Sequence, residues 1–431
     1  MNSEDRWLVA WGVGYAAVGG ASVLVPLYAI ALDASLAFVG LIAATAALVG
    51  VPGALLWGRL AARTKRRRPF VLVTLAATAG TLALVPLASS PAAVLLLNAL
   101  LWFAVSAAVP VLNLIVVEGA PVDEWDGRIA SLNAWQGYGW VGGLVVGTVW
   151  TGVAPRFGVD GVAGQRLLFF VLAAVAATAL VLARAWYPEP ASVDPDRYRR
   201  VSRRFSRTDW GAGRVLRGSL YGPSRIYWAL TAAGGRGGTG SLRSLLVGVP
   251  TRLRRYLLAV AVFSFGFAVF WGPVPAYLKA DLAEGAVFAV YLAGNLGSAA
   301  CYTPVGRLAG RVPHRTLQAA ALAVRCVLFP GVALVTAAAA GALLPVYAVG
   351  FGLIGVTWAV IAVTTTGIVT RLSDEASRGR ALGLQAAAAG AATAVGSAVG
   401  GVVAGAAGYL VAFAVAAAAV LAGIALLLAS R

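Results

Sequence analysis

Charge is scarce in this chain. Only 12% of its 431 residues are Asp, Glu, Lys or Arg, about half the share of an ordinary soluble domain, while 60% are hydrophobic. Cysteine is scarcer still. Cys301 and Cys326 both fall in apolar stretches, which excludes a disulfide framework and a Cys-x-x-Cys metal motif. A single histidine, His314, with no Cys/His cluster leaves no ligand set for zinc, so no metal is expected. Lysine occurs only at Lys65 and Lys279, neither of them in a Gly-x4-Gly-Lys-Ser/Thr run. No P-loop therefore binds a nucleotide, the chain powers nothing by its own ATPase, and no cofactor is expected. No cluster of carboxylates, histidines or metal ligands stands in or near the apolar segments. Catalytic residues are thus absent from the expectation, and an enzyme acting on lipid or a lipid-linked sugar is disfavoured. The ten-residue alternation of an outer-membrane barrel is missing as well.

What is abundant is long apolar runs. Mean hydropathy is +0.84, and stretches of 20 or more apolar residues recur from end to end. A polytopic α-helical membrane protein is the class that fits. Twelve spans are predicted, at about 7–31, 36–58, 69–89, 91–117, 131–153, 166–186, 256–278, 286–306, 316–338, 341–368, 381–404 and 408–430. The first residues, Met1 to Arg6, carry Glu4 and Asp5 beside one Arg, a poor signal-peptide start, so the first span is expected to be retained.

The net charge of +18 is concentrated. Of 34 Lys and Arg, 15 lie between Arg184 and Arg255 and six between Arg59 and Arg68. With both termini on the cytoplasmic side, inside loops hold 30 of them, outside loops three (Arg156, Arg166, Lys279), and Arg325 falls within a span. That asymmetry predicts a multi-pass protein of the cytoplasmic membrane. It also explains the basic charge without nucleic acid, for which no soluble module exists. Residues 188–255 read as a basic cytoplasmic linker between two bundles, 1–187 and 256–431. Two readings stay open for it: amphipathic helices on anionic lipid headgroups, or a solvated tether.

The chain repeats itself. Gly58-Arg59-Leu60-Ala61-Ala62-Arg63 returns as Gly306-Arg307-Leu308-Ala309-Gly310-Arg311, with five of six residues identical at an offset of 248. Val25-Pro26-Leu27-Tyr28 returns as Val274-Pro275-Ala276-Tyr277 at an offset of 249, and Gly127-Arg128 as Gly379-Arg380 at 252. Six spans per copy give both copies the same orientation, a parallel repeat. Small residues also recur every four positions at Gly139, Gly143 and Gly147, and at Ser397, Gly401 and Gly405, a spacing that lets helices approach closely.

A Gly-x-Leu-Ala-x-Arg run with following basic residues, between spans 2 and 3 and again between spans 8 and 9, resembles the signature loop of the major facilitator superfamily. The Gly-Arg pairs and the long middle loop are similar too. The acid this family usually carries after the Leu-Ala pair is replaced by Ala62 and Gly310, and its following glycine by Lys65 and Pro313. The Gly-Pro pair of its antiporters is Gly142-Gly143 here. The resemblance implies an all-α secondary transporter, active or facilitative, with twelve helices in two six-helix repeats that work by alternating access. It also implies a central cavity formed mainly by spans 1, 4, 7 and 10, with 2, 5, 8 and 11 contributing.

Polar groups inside spans are penalised by hydrocarbon and so mark sites. Together with nearby aromatics they give the residues expected at a substrate: Tyr15, Tyr28, Trp102, Asn113, Asn133, Gln136, Phe267, Trp271, Tyr277, Asn295, Trp358 and Thr365. Each amide can instead cap an interhelical contact, and each Trp can sit at the headgroup belt. Neutral amides and rings suit a small neutral or amphipathic solute. Two other readings stay open: an organic-anion transporter using Arg325, or a non-transporting sensor or scaffold acting through residues 188–255. Span 9 is peripheral in the family, so Arg325 is expected to snorkel or pair. Cytoplasmic closure is assigned to Gly58, Arg59, Arg63, Gly306, Arg307 and Arg311, with Arg128 and Arg380. The facing acids are Asp123, Glu124, Asp126, Asp374 and Glu375. Asp33 and Glu118, both near the membrane interface, are the candidates for a coupling proton or ion. The chain is expected to act as a monomer.

Overall fold

The computed structural model describes residues 6–63, 68–117, 124–159, 161–187, 249–338, 343–374 and 377–429. Glu118, Asp123, Glu375 and the linker up to residue 248 lie outside the described residues. Among those described there is no strand. In hydrocarbon every backbone group must be satisfied within its own segment, and helices achieve this. The helices are α1 (Arg6–Ala31), α2 (Leu36–Arg63), α3 (Arg68–Leu84), α4 (Pro91–Val117), α5 (Trp125–Val153) and α6 (Gly161–Trp186). After the linker come α7 (Thr251–Trp271), α8 (Val274–Asp281), α9 (Glu284–Leu308), α10 (His314–Ala338), α11 (Leu343–Arg371), α12 (Arg378–Ala407) and α13 (Tyr409–Ala429).

Ten segments among the described residues are long and apolar enough to cross a membrane, α7 and α8 counting together as Thr251–Asp281. The other two expected spans are helical as well. In α2, Leu36–Gly50 is the apolar stretch among the described residues. In α5 the first half is diluted by Asp126, Arg128, Asn133 and Gln136.

Local chemistry sets the helix ends. The turn after α1 places Asp33 at φ 63, a left-handed conformation that Asp tolerates better than bulky residues. Beyond α5, Gly158 takes φ 72 after a short 3₁₀ turn containing Pro155. The seventh span breaks at Gly272-Pro273, because Pro273 has no N–H to continue the ladder.

Packing repeats with the sequence. In the first half α1 lies on α5 and α6, α2 on α4, and α3 on α4 and α6. In the second, α7 lies on α12 and α13, α9 on α11, and α10 on α11 and α13. Contacts across the halves run chiefly through α2 with α12 and α5 with α9. α1 is enclosed nearly all round, with Trp11, Tyr15, Leu24 and Tyr28 all buried.

Glycine permits the closest approaches. A Cβ on Gly143 would stand 2.5 Å from the Gly20 amide nitrogen, and one on Gly355 would stand 2.9 Å from that of Ser298. The stripe on α5 changes partner along its length: Gly139 and Gly143 meet α1, whereas Gly147 meets the Phe288 ring of α9.

Candidate functional site

A cavity of about 630 Å³ lies between the two halves. The first half contributes Ser22, Pro26, Asn98, Trp102, Trp140 and a strip of α2 from Val39 to Ala47. The second contributes most of the described wall. One helical stripe on α9 (Tyr291, Gly294, Asn295, Ser298, Tyr302) faces it, and another on α11 (Phe351, Ile354, Gly355, Trp358, Ile361, Thr365). The i, i+3, i+4, i+7 spacing of both is that of one helix face. The break in the seventh span, at Gly272 and Pro275, also borders the cavity.

The halves touch at the end where α1 finishes and α2 begins. A Cβ on Gly40 of α2 would lie 3.0 Å from the Gly401 Cα of α12. At α5 and α9, a Cβ on Gly285 would lie 2.7 Å from Thr151 Oγ1. Gln165 Nε2 of α6 donates to Glu284 Oε1 at the start of α9 (2.5 Å), and Lys279 Nζ is 3.3 Å from the same carboxylate oxygen.

Aromatic surface dominates the wall. Trp102 and Trp140 face each other with ring centroids 6.4 Å apart, and Trp271 stands 5.6 Å from Tyr291 and 5.5 Å from Phe351. Phe267 and Trp358 are 6.4 Å apart in an edge arrangement. Arg325, on α10, does not snorkel. It is 1% exposed and its side chain crosses to the cavity wall. Its Nε donates to Thr357 Oγ1 (2.9 Å) and its Nη2 to the Ile354 carbonyl (3.1 Å). The guanidinium carbon lies 4.1 Å from the Phe267 ring centroid and 5.7 Å from that of Trp358. Deeper polar links hold the wall. Tyr256 donates to Gln318 Oε1 (3.0 Å), and Gln318 Nε2 donates to Thr365 Oγ1 (2.6 Å). Asn98 Nδ2 donates to the Ile42 carbonyl (3.3 Å), joining α4 to α2.

Of the residues expected at a substrate, Trp102, Phe267, Trp271, Asn295, Trp358 and Thr365 come together at the cavity. Tyr15, Tyr28, Asn113, Asn133, Gln136 and Tyr277 are not part of its wall. Tyr28 donates to the Ala88 carbonyl (2.9 Å) and accepts from Arg166 Nε (3.1 Å). Tyr277 donates to the Val332 carbonyl (2.8 Å) and accepts from Tyr347 (3.0 Å). Tyr15 packs between Trp11 and Trp140, at 5.9 and 6.3 Å. Asn133 is buried away from the cavity, while Asn113 and Gln136 are half-buried. Sequence reasoning missed Trp140, Tyr291, Tyr302 and Phe351. The α9 and α11 stripes were findable by extending the helical period from Asn295 and Trp358.

Among the gating residues, Arg307 and Arg311 are exposed at and beyond the end of α9, and Gly306 lies within that helix. Arg128 pairs with Glu124, one turn before it, at 3.2 Å. Gly58, Arg59 and Arg63 lie on α2 and Arg380 on α12; their side chains are outside the described set. Asp33 is exposed in its turn, away from the cavity wall.

The described helices form a bundle in two similarly packed sets that touch at one end beside an apolar cavity, the architecture of a polytopic membrane protein. Comparison with known proteins gives the family. The Major Facilitator Superfamily model matches residues 8–257, more than half of the chain, and the chain belongs to that family. It is a multi-pass membrane protein and a transporter, not an enzyme. A search of curated proteins finds no match. Among solved structures, a point mutant of the nucleoside transporter NupG is similar at TM-score 0.72 and 11% identity, over 100% of both chains. The human organic anion transporter MFSD10 is similar at TM-score 0.57 and 17% identity, over 99% of this chain and 100% of its own. A bacterial homolog of the human lysosomal transporter Spinster, inward-facing and unoccupied, is similar at TM-score 0.66 and 12% identity, over 99% of this chain and 94% of its own. At these identities the likeness shows the shared fold.

Proposed function

We propose that the chain is a secondary transporter that moves a small amphipathic solute across the cytoplasmic membrane by alternating access. Residues 1–187 and 256–431 act as two six-helix bundles, twelve spans in all, joined by the basic linker 188–255. The observation that carries this is the cavity walled by both halves while the halves touch at one end. On the reading that both termini are cytoplasmic, which loop charge supports, the touching end would face outward and the cavity would communicate with the cytoplasm. Rocking one bundle on the other would exchange the closed end. The aromatic wall favours a solute with an apolar body, and Asn295, Thr365 and Asn98 supply hydrogen bonds for orientation.

The geometry offers a lock. An ideal Cβ on Gly285 is 3.5 Å from Thr151 Cβ, within the roughly 3.5–4.5 Å range a disulfide needs. In a C301S/C326S background, oxidised T151C/G285C should fix the outer closure. A further cysteine at cavity residue Ala389 should then react with an impermeant maleimide from the cytoplasmic face alone, and from both faces after reduction. Equal labelling from both faces in the oxidised protein would overturn alternating access at this cavity.

A further inference from the structure

Among the described residues lining the cavity there is no Asp or Glu, and Arg325 is the sole charged side chain. A buried guanidinium without a counter-charge is costly, and such residues inside membrane proteins mark ligand or ion pathways. The protein offsets part of that cost. Thr357 Oγ1 and the Ile354 carbonyl each take one N–H, and Phe267 lies against the ring-facing side of the cation. The Thr357 hydroxyl is itself committed, donating to the Ile354 carbonyl at 2.7 Å. All these partners are neutral.

Nη1 is different. It is buried and has no hydrogen-bond partner among the described residues. A guanidinium has five N–H donors in a planar fork. Two are used, so three remain, both hydrogens of Nη1 among them. A donor left idle on a buried cation can be met by any acceptor, but an anionic one meets it most strongly and also offsets the buried charge. The surroundings set the rest of the ligand. Phe267 and Trp358 line the cavity and flank the guanidinium, and Trp271, Tyr291 and Phe351 continue the aromatic surface.

We propose that Arg325 is the anion receptor of the cavity, and that the solute is an organic monoanion whose carboxylate or similar group meets Arg325 Nη1 while its apolar body lies on the aromatic wall. This rests on the reading of the cavity as the solute site. Phe267 and Trp358 cover the guanidinium in the present state, so binding requires one ring to turn aside. Thr357 and the Ile354 carbonyl act as positioning groups: they fix the plane of the fork and leave Nη1 unused.

The test uses purified full-length protein and three probes of one shape: benzoate, benzamide and benzylamine. Binding is followed by quenching of tryptophan fluorescence, Trp102, Trp271 and Trp358 being in the wall. Benzoate should bind more tightly than benzamide by on the order of tenfold or more, and benzylamine more weakly than both. R325Q should erase the difference between benzoate and benzamide while benzamide binding stays. R325K, which keeps the charge and loses the fork, should retain part of it. Equal binding of all three by the native protein overturns the anion receptor but leaves the cavity as a solute site. Binding of none removes both. The native comparison stands on its own should R325Q fail to fold. A benzoate preference that survives in folded R325Q places the anion elsewhere and also overturns the assignment.

Discussion

The two halves solve the same mechanical problem with one residue and then diverge in chemistry. Tyr28 and Tyr277, each two residues after a proline near the end of its span, donate to a backbone carbonyl near the end of the helix two spans later. In the first half the tyrosine oxygen also accepts from Arg166, and in the second from Tyr347, which reaches Asp281 as well. Beyond this the symmetry fails. α1 runs through Pro26 without interruption, whereas the seventh span breaks at Gly272-Pro273 beside the cavity. At the 248-residue offset of the paired loops, Ala77 of α3 stands where α10 has Arg325. The first half therefore supplies a smaller, uncharged part of the described wall, and the second carries the charge and most of it.

That contrast can be broken at its joints. The largest effect should come from glycines packed within a half. G143L and G355L would force a side chain into backbone of the facing helix, and both should lose folded protein, judged by monodisperse yield after extraction. Glycines between the halves should behave differently. G401L puts its side chain against Leu36 and Gly40 of α2, so it should remain folded but part α2 from α12. Spin labels on α2 and α12 would then move apart, and an unchanged distance would show that this contact does not hold the closure. A smaller effect is expected from the tyrosines. Y28F and Y277F each remove one buried donated bond, about 1–2 kcal/mol of stability, measured by thermal unfolding in detergent. Y28F should be the worse of the two, because it strips an acceptor from the cationic Arg166. The smallest should be R128A. Its ion pair with Glu124 is exposed, 39% and 51%, so stability should change by roughly 0.5 kcal/mol or less. Any larger loss of transport would then report gating rather than folding.

Much of this was legible in the residues. Apolar runs placed ten of the twelve expected spans to within about five residues, because hydrocarbon tolerates little else. The paired loops and the two Val-Pro-x-Tyr runs pointed to the similar helix pairings of the two halves. The site was legible only in part. Trp102, Trp271, Asn295, Trp358 and Thr365 were found by type, as polar or aromatic residues on cavity-facing helices. Tyr28 and Tyr277 were not separable from them, since a tyrosine capping a carbonyl and one meeting a solute look alike in sequence. α1 adds to the difficulty: it is buried on nearly all faces, so its periodicity does not mark an inner one. Arg325 was misplaced for a physical reason. Its helix packs on α11 and α13, yet the arginine stem is long enough to pass the edge of α11 and put its head in the cavity wall.

Arg325 also exposes the protein to voltage. A full charge moved across a membrane potential exchanges about 2.3 kcal/mol per 100 mV. If access alternates as proposed, the potential drop shifts from one side of the cavity to the other, and a guanidinium fixed in the wall feels the change even if it does not move. On that proposal an interior-negative membrane favours the state in which the cavity communicates with the cytoplasm, and a bound anion would cancel the bias. The resting orientation of the empty transporter would then be set electrically and released by its own ligand.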